Sequence, residues 1–169
     1  MPLFRENGIV DDPWHKLADD AAVPADGLVL VSHARWGAAR AALLARRGPV
    51  GVALANSDPV EALAPDVARL DLIALHFPKF SDGRAYSQAR LLRGRLGFGG
   101  ELRATGNVLH DQALFMLRCG FDAFESDQAG FGAALARART QFSVVYQPAE
   151  DGRLPAALLR LGRRGAVVS

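Results

Sequence analysis

Short apolar runs alternate along the chain with longer segments rich in Ala, Leu and Arg, and this alternation restricts the possible folds more than any other feature. Six runs have the length and the apolar, often β-branched composition of strands, and most are separated by stretches with helical spacing. The predicted strands cover residues 28–32, 50–55, 70–77, 101–105, 121–125 and 142–147. Because parallel neighbours need crossover connections, the pattern predicts an α/β fold with a mostly parallel sheet.

The same pattern leaves two architectures open, a partial TIM-like barrel and an open doubly wound sheet. A chain of 169 residues, 50% of them hydrophobic, can bury one substantial core, so we expect a single domain. Residues 1–26 are predicted to form a hairpin and an extension packed on that domain, with a turn at Asn7–Gly8 and with Trp14 pinning the segment. Residues 27–169 then form the α/β domain.

Charge is unevenly distributed along the chain. The net charge is only +2, but residues 1–26 carry a net −4 and residues 79–118 a net +4. Eighteen of the twenty cations are arginine, which suits planar anion recognition, although a GC-rich coding sequence produces the same enrichment. The acidic first segment and the few aromatic residues in the basic run argue against nucleic-acid binding.

No apolar run approaches the roughly 20 residues of a membrane span, and the first residues lack the pattern of a secretory signal. The expected location is therefore the cytoplasm. The single cysteine, Cys119, excludes an internal disulfide and a CxxC metal motif within this sequence. Its apolar neighbours predict a buried and unreactive thiol.

Polar residues concentrate in residues 77–112, which would supply two loops at the carboxyl ends of predicted strands. Ligands of parallel α/β folds bind at that edge, and Asn56 follows another strand there. Basic side chains and free backbone N–H groups favour a carboxylate, a phosphate or a sulfur oxyanion. SDGR is also a good turn sequence, and Asn107 is in addition a plausible helix N-cap. The candidate anion-binding residues are Lys79, Asp82, Arg84, Arg103 and Asn107.

Catalytic groups are less clearly indicated. The histidines His33, His76 and His110 could act as bases, although His76 lies in an apolar strand and is interpreted as a core histidine. The candidate acids or bases with a carboxyl group are Asp82, Asp111 and Glu125. The sequence holds no nucleophile elbow, zinc-protease motif or dinucleotide fingerprint, so neither a metal nor a cofactor is predicted.

Three segments, FPKFSDGRAYSQARLLR, GELRATGNVLHDQ and RCGFDAF, resemble the bacterial family called Domain of Unknown Function 934. Members of that family are described as oxidoreductases of sulfite reduction because their genes accompany those of assimilatory sulfite reductase. The family-type residues that this chain shares include Lys79, Phe80, Asp82, Arg84, Arg103, Gly106, Asn107 and Gln112.

The resemblance implies a role in sulfur assimilation, but the sequence contains no cysteine pair or haem motif with which to move electrons. We therefore expect an accessory protein of assimilatory sulfite reduction that acts with sulfite reductase or its ferredoxin-type donor through a basic edge. The alternative is an enzyme that acts on a small anionic metabolite on a TIM-like scaffold.

Overall fold

The computed structural model of the chain describes residues 1–6, 8–142 and 144–165. Within them, eight strands form one sheet. The strands are β1 (Leu3–Arg5), β2 (Gly8–Val10), β3 (His15–Lys16), β4 (Val29–Ser32), β5 (Val50–Leu54), β6 (Leu72–Phe77), β7 (Glu101–Gly106) and β8 (Ala123–Glu125). Five of the six predicted strands are confirmed as β4 to β8.

The described helices lie mostly between the strands. They are α1 (His33–Ala45), α2 (Arg84–Arg90), α3 (Ala113–Arg118), α4 (Phe131–Thr140) and α5 (Ala156–Gly165). A π-helical turn, Leu91–Arg95, continues α2. Three short 3-10 helices cover Val60–Leu63, Val67–Arg69 and His110–Gln112. No helix in these described ranges is long and apolar enough to cross a membrane.

Strand order decides between the two predicted architectures. The order is β2-β1-β8-β7-β6-β5-β4-β3, and the six strands β3 to β8 are parallel to one another. A chain that always moves to the adjacent parallel strand makes every crossover in the same sense, which places the helices on one face. The fold is thus a partial barrel and not a doubly wound sheet. At the other edge of the sheet, β1 pairs antiparallel with β2 and with β8.

The sheet curls strongly. In a flat sheet, β3 and β8 would lie roughly 24 Å apart, because five strand spacings of about 4.8 Å separate them. The ammonium of Lys16 on β3 nevertheless lies 3.3 Å from the Glu125 carboxylate on β8. A lysine side chain cannot span 24 Å, so the two strands must approach each other across a concave inner face.

The two faces of the sheet differ in chemistry. The outer face carries the main apolar core, in which Leu75, Phe77 and Phe124 pack against the helices. The inner face combines a small apolar cluster with buried charge. Leu30, Leu72, Ala74 and Trp14 form the cluster, and Arg103 lies beside it with no exposed surface.

Residues 11–14, which we call the crossing segment, cover the inner face. They connect β2 to β3, and these strands lie at opposite ends of the strand order, so the segment must cross the concavity. Asp12 contacts Arg103 on β7, and Trp14 packs against Leu30 and Leu72. The predicted pinning role of Trp14 is confirmed, because its side chain is buried in that cluster.

One predicted strand was wrong. Residues 142–147 contain β-branched and aromatic residues, but their described part forms only an isolated bridge between Val145 and Pro155. The neighbouring position in the sheet is not free for a further strand, since β1 already pairs with β8 there. The side chains of Phe142, Val144 and Tyr146 are consequently exposed.

Candidate functional site at the carboxyl edge of the sheet

Asp82 is the centre of a polar network at the carboxyl edge of the sheet. Its carboxylate accepts two hydrogen bonds from the Arg84 guanidinium, at 3.0 and 2.7 Å, and one from the Arg84 backbone N–H at 3.2 Å. The Asn56 side-chain amide donates a fourth, at 2.7 Å. Asn56 follows β5 and Asp82 follows β6, so the two residues lie at the carboxyl ends of neighbouring strands.

This network fixes the charge of Asp82. The pKa of Asp82 is lowered to about 2, mainly by the hydrogen bonds from Arg84. The hydrogen bond from the Asn56 amide adds to the effect. A carboxylate with so low a pKa is a poor proton acceptor near neutral pH. Asp82 is therefore suited to holding Arg84 in place, and its predicted role as an acid or base receives no support from the geometry.

Two cations remain accessible at this edge. The Arg84 side chain is 60% exposed although it pairs with Asp82. Lys79 is exposed, and its side chain has no ion pair or hydrogen bond within the described ranges. Between them lies Phe80, whose side chain is 59% exposed. We call Lys79, Phe80 and Arg84 the rim.

The segment after β7, which was predicted as the second loop, is hydrogen-bonded to the rim. The Gln112 side-chain amide donates to the backbone carbonyl of Phe80 at 2.9 Å, which ties the two loops together. Asn107 is exposed, but the predicted N-cap role was wrong: helical structure begins at His110, and the backbone N–H of Asn107 donates to the Phe77 carbonyl. Asp111 is exposed in the first turn of that helix.

Arg103 lies away from the rim. It sits in the middle of β7 on the inner face, where its guanidinium binds both oxygens of Asp12, at 2.8 and 3.0 Å. It also donates to Glu101 at 2.9 Å and to Glu125 at 3.1 Å. Burial opposes its charge, but the Asp12 hydrogen bond and the Glu101 charge outweigh burial and raise the pKa of Arg103. The guanidinium of Arg103, which was predicted to bind an anion, is therefore already bound by three carboxylates of the chain itself.

The open mouth of the inner face is lined by His76 and Thr105, which are register partners on β6 and β7. His76 was interpreted as a core histidine, and this was wrong: strand alternation turns it to the inner face, where it is exposed. Its Nδ1 lies 3.4 Å from the Thr105 hydroxyl. The ring lies over Gly106, where an added Cβ would come within 2.6 Å of the imidazole.

Glu125 joins the buried and the open parts of the inner face. One of its oxygens accepts from Arg103 and the other from the exposed ammonium of Lys16. Glu125 is thus paired with one buried and one exposed cation. We call His76 and Thr105 the mouth residues.

The structure thus separates the predicted site into three parts. Lys79, Asp82 and Arg84 lie together at the rim, and Arg103 and Glu125 lie within the inner face. Asp111 is exposed on a helix, and its side chain makes no hydrogen bond or ion pair within the described ranges. Asp12 and Lys16 were not predicted as site residues. Their partners are 91 and 109 residues away in sequence, so no local motif could have indicated them.

No three His, Cys, Asp or Glu side chains in the described part of the chain are placed to share a metal ion. The available chemistry consists instead of cations at the rim and one accessible imidazole at the mouth. A rim of this kind can bind anionic groups.

A family model described as "Bacterial protein of unknown function (DUF934)" matches residues 51–157. The match covers more than half of the 169 residues. The chain belongs to this family. The matched DUF934 region contains the whole rim, the Asn56–Asp82 contact, Arg103 and His76, whereas Asp12 and Lys16 precede it. No curated protein matches the chain.

Proposed function

We propose that this DUF934 protein is a cytoplasmic accessory protein of assimilatory sulfite reduction, which docks on sulfite reductase or its ferredoxin-type electron donor through the rim. The link to sulfite reduction comes from the family resemblance of the sequence. The choice of a docking protein over an enzyme comes from the surface chemistry at the carboxyl edge.

The observation that carries the proposal is the exposure of Phe80 between two cations. A large aromatic side chain that is 59% exposed leaves apolar surface in water, and such side chains are enriched at the centres of protein interfaces. The Gln112 hydrogen bond fixes the backbone that presents it. Little ordering of the loop is then needed on binding.

The charges beside Phe80 indicate the partner's chemistry. Lys79 and Arg84 would attract an acidic surface and orient it before contact, which raises the association rate at low salt. Arg84 is held by Asp82, so its position is defined before the partner arrives. Ferredoxin-type donors and other transient redox partners commonly rely on such electrostatic encounters.

Binding measurements test the docking directly. We expect the purified chain to bind sulfite reductase or the ferredoxin-type donor, with an affinity that falls as salt rises from about 0.05 to about 0.3 M. Phe80→Ser should weaken binding about tenfold or more, and Lys79→Gln should slow association. Arg47→Gln removes an exposed arginine beyond α1, at the other end of the sheet, and serves as the matched control. Failure of both proteins to bind at low salt would exclude the proposal.

Growth measurements test the pathway. A host strain without the gene should grow on sulfide or cysteine and fail on sulfate or sulfite as the only sulfur source. The wild-type gene should restore growth, and Arg84→Ala at normal protein level should not. Normal growth of the deletion strain on sulfite would contradict a role at the reductase step.

A second candidate function is an enzyme that acts on a small anionic metabolite, and the accessible His76 at the mouth favours it. The Thr105 hydroxyl lies 3.4 Å from His76 Nδ1, and an accessible imidazole beside a hydroxyl can serve as a general base. This function requires that a small anion such as sulfite raise the melting temperature of the wild type. It also requires that Arg84→Ala abolish the shift and that Phe80→Ser leave it unchanged.

A further inference from the structure

An open groove with a volume of about 580 Å³ runs along α2 and the π-helical turn that continues it. It is lined by Ser87, Arg90, Leu91, Gly94, Arg95 and Glu150. A smaller cavity of about 120 Å³ shares Arg90 with the groove and extends to Phe115. We call the two cavities together the helix groove. Because α2 begins at Arg84, the helix groove starts beside the rim.

The helix groove carries an excess of positive charge. Residues 84–95 contain four arginines and no acidic residue. Arg93 is used within the chain, where its guanidinium donates to three backbone carbonyls and a carboxylate. Arg90 and Arg95 are exposed, and neither side chain has an ion pair or a hydrogen bond within the described ranges. Among the described lining residues, Glu150 supplies the single carboxylate against these two unpaired arginines.

The π turn places Arg95 beside Arg90. In a regular α-helix, residues five apart point about 140° away from each other. Here the backbone N–H of Leu96 donates to the Leu91 carbonyl, five residues earlier, at 2.9 Å. The wider turn rotates Arg95 back toward the face of Arg90, and both residues line the same groove. Turns of this type are rare and occur frequently at functional sites.

Phe115 connects the helix groove to the rim. Its side chain is 55% exposed, and its ring packs on Tyr86 with the centroids 4.7 Å apart. Tyr86 in turn packs on the buried Phe77 at 5.0 Å, so the exposed ring rests on a fixed base. Gln112, three residues before Phe115, donates to the Phe80 carbonyl at the rim. The two exposed phenylalanines therefore belong to one continuous surface.

We infer that the helix groove binds a short acidic segment of a partner protein, whose carboxylates pair with Arg90 and Arg95 and whose apolar side chain covers Phe115. Exposed guanidinium groups without a partner bind carboxylates through paired N–H donors. An exposed aromatic ring beside them supplies apolar contact area. The inference rests on the proposed docking function and adds the chemistry of the segment that docks.

The spacing of the two arginines gives the spacing of the acidic side chains. Five residues of helix rise about 7 Å, so Arg90 and Arg95 are about that far apart along the helix axis. In an extended segment, residues two apart lie on the same side and about 6.6 Å from each other. We therefore expect Asp or Glu at two positions i and i+2 of the segment, with a large apolar residue on the side of Phe115.

Binding of sulfite reductase and of the ferredoxin-type donor to the full chain tests the helix groove. We expect Arg90→Gln/Arg95→Gln to weaken binding about tenfold or more at low salt, and Glu150→Gln to strengthen it because it removes the carboxylate of the lining. Arg47→Gln/Arg137→Gln removes two exposed arginines elsewhere and should bind like the wild type. If the proteins bind the wild type and Arg90→Gln/Arg95→Gln equally, the inference is overturned, while docking at the rim still stands if Phe80→Ser weakens binding.

Peptide selection decides the case in which neither protein binds the wild type, a result that would exclude the proposed function. Random peptides of about twelve residues, displayed and selected on the immobilised full chain, are a probe that needs no known partner. We expect the selected peptides to carry the i and i+2 pair of acidic residues and to bind Arg90→Gln/Arg95→Gln about tenfold more weakly than the wild type and the control variant. Selection of no such peptide, or equal affinity for the wild type and Arg90→Gln/Arg95→Gln, overturns the inference.

Discussion

Arg103→Met removes the one cation that joins Asp12, Glu101 and Glu125 on the inner face. Methionine approximates the length of the arginine side chain but leaves three carboxylates facing one another without their shared donor. Removing one partner of a buried ion pair costs about 3–5 kcal/mol, because the remaining charge stays buried and uncompensated. Arg103 has no exposed surface, but the Asp12 side chain is 31% exposed and Glu125 keeps its ion pair with Lys16, so we expect the lower end of this range, about 3 kcal/mol. For a chain of this size, the melting temperature should fall by roughly 6–12 °C.

Urea unfolding at pH 7 measures this loss of unfolding free energy. Arg95→Met, at an exposed arginine, is the matched control and should change stability by less than about 0.5 kcal/mol. Replacing Glu125 as well, in Arg103→Met/Glu125→Met, should recover part of the loss because it removes a buried charge. A loss below about 1 kcal/mol for Arg103→Met, or a double variant less stable than that single variant, would refute the assigned role of the cluster.

The pH dependence gives an independent check through Asp12. Burial raises the pKa of Asp12, but the hydrogen bonds from Arg103 and from the Trp14 backbone N–H lower it more, so the folded-state pKa is below the ordinary 3.8. A lowered pKa contributes stability above the unfolded-state pKa and loses it as pH falls through the folded-state pKa. Stability of the wild type should therefore fall more steeply below about pH 4 than that of Arg103→Met. Parallel pH profiles would contradict the pairing.

Three further outcomes follow from single residues. Gly106 has a φ of +86°, and an added Cβ would lie 2.4 Å from the Phe77 carbonyl oxygen, so Gly106→Ala should lower the free energy of unfolding by about 1–3 kcal/mol in urea titrations. Cys119 is buried, and burial raises the pKa of its thiol to about 11, so a thiol reagent at pH 8 should react slowly with native protein and rapidly in urea; rapid native labelling would contradict that environment. NMR titration should find Asp82 with a pKa near 2 in the wild type and closer to 3.8 in Arg84→Gln, and an unchanged value in the variant would refute the pairing.

The sequence pattern was sufficient for β4 to β8 but not for their order. Strands β4 to β6 are mostly apolar runs, and such runs are recognisable because burial on both sides removes most polar residues. Whether successive strands are added always at one edge or at both edges depends on packing between distant segments. The pattern therefore left the partial barrel and the doubly wound sheet equally open.

Strand ends indicated which loops could share the carboxyl edge of the sheet. The loops after β5 and β6 are in contact there, since Asn56 donates to Asp82. The error at His76 came from treating its strand as uniformly apolar. Alternation alone places His76 on the face of Leu72 and Ala74, and that face is covered only as far as the crossing segment reaches. Arg103 could not be placed in the same way, because its main partner, Asp12, is contributed by a distant segment.

The crossing segment also explains why the inner face is open at the mouth. Asp12 and Trp14 cover the inner face over Arg103 and Leu72, while His76 beyond them remains exposed. Both candidate functions use Arg84, but Phe80 belongs only to docking and His76 only to proton transfer, so variants of these two residues separate the functions in one growth assay. If Phe80→Ser abolishes growth on sulfite and His76→Gln does not, docking at the rim is the function under selection. If His76→Gln alone abolishes growth, proton transfer at the mouth is the better explanation, because loss of an exposed imidazole changes chemistry without removing the apolar contact.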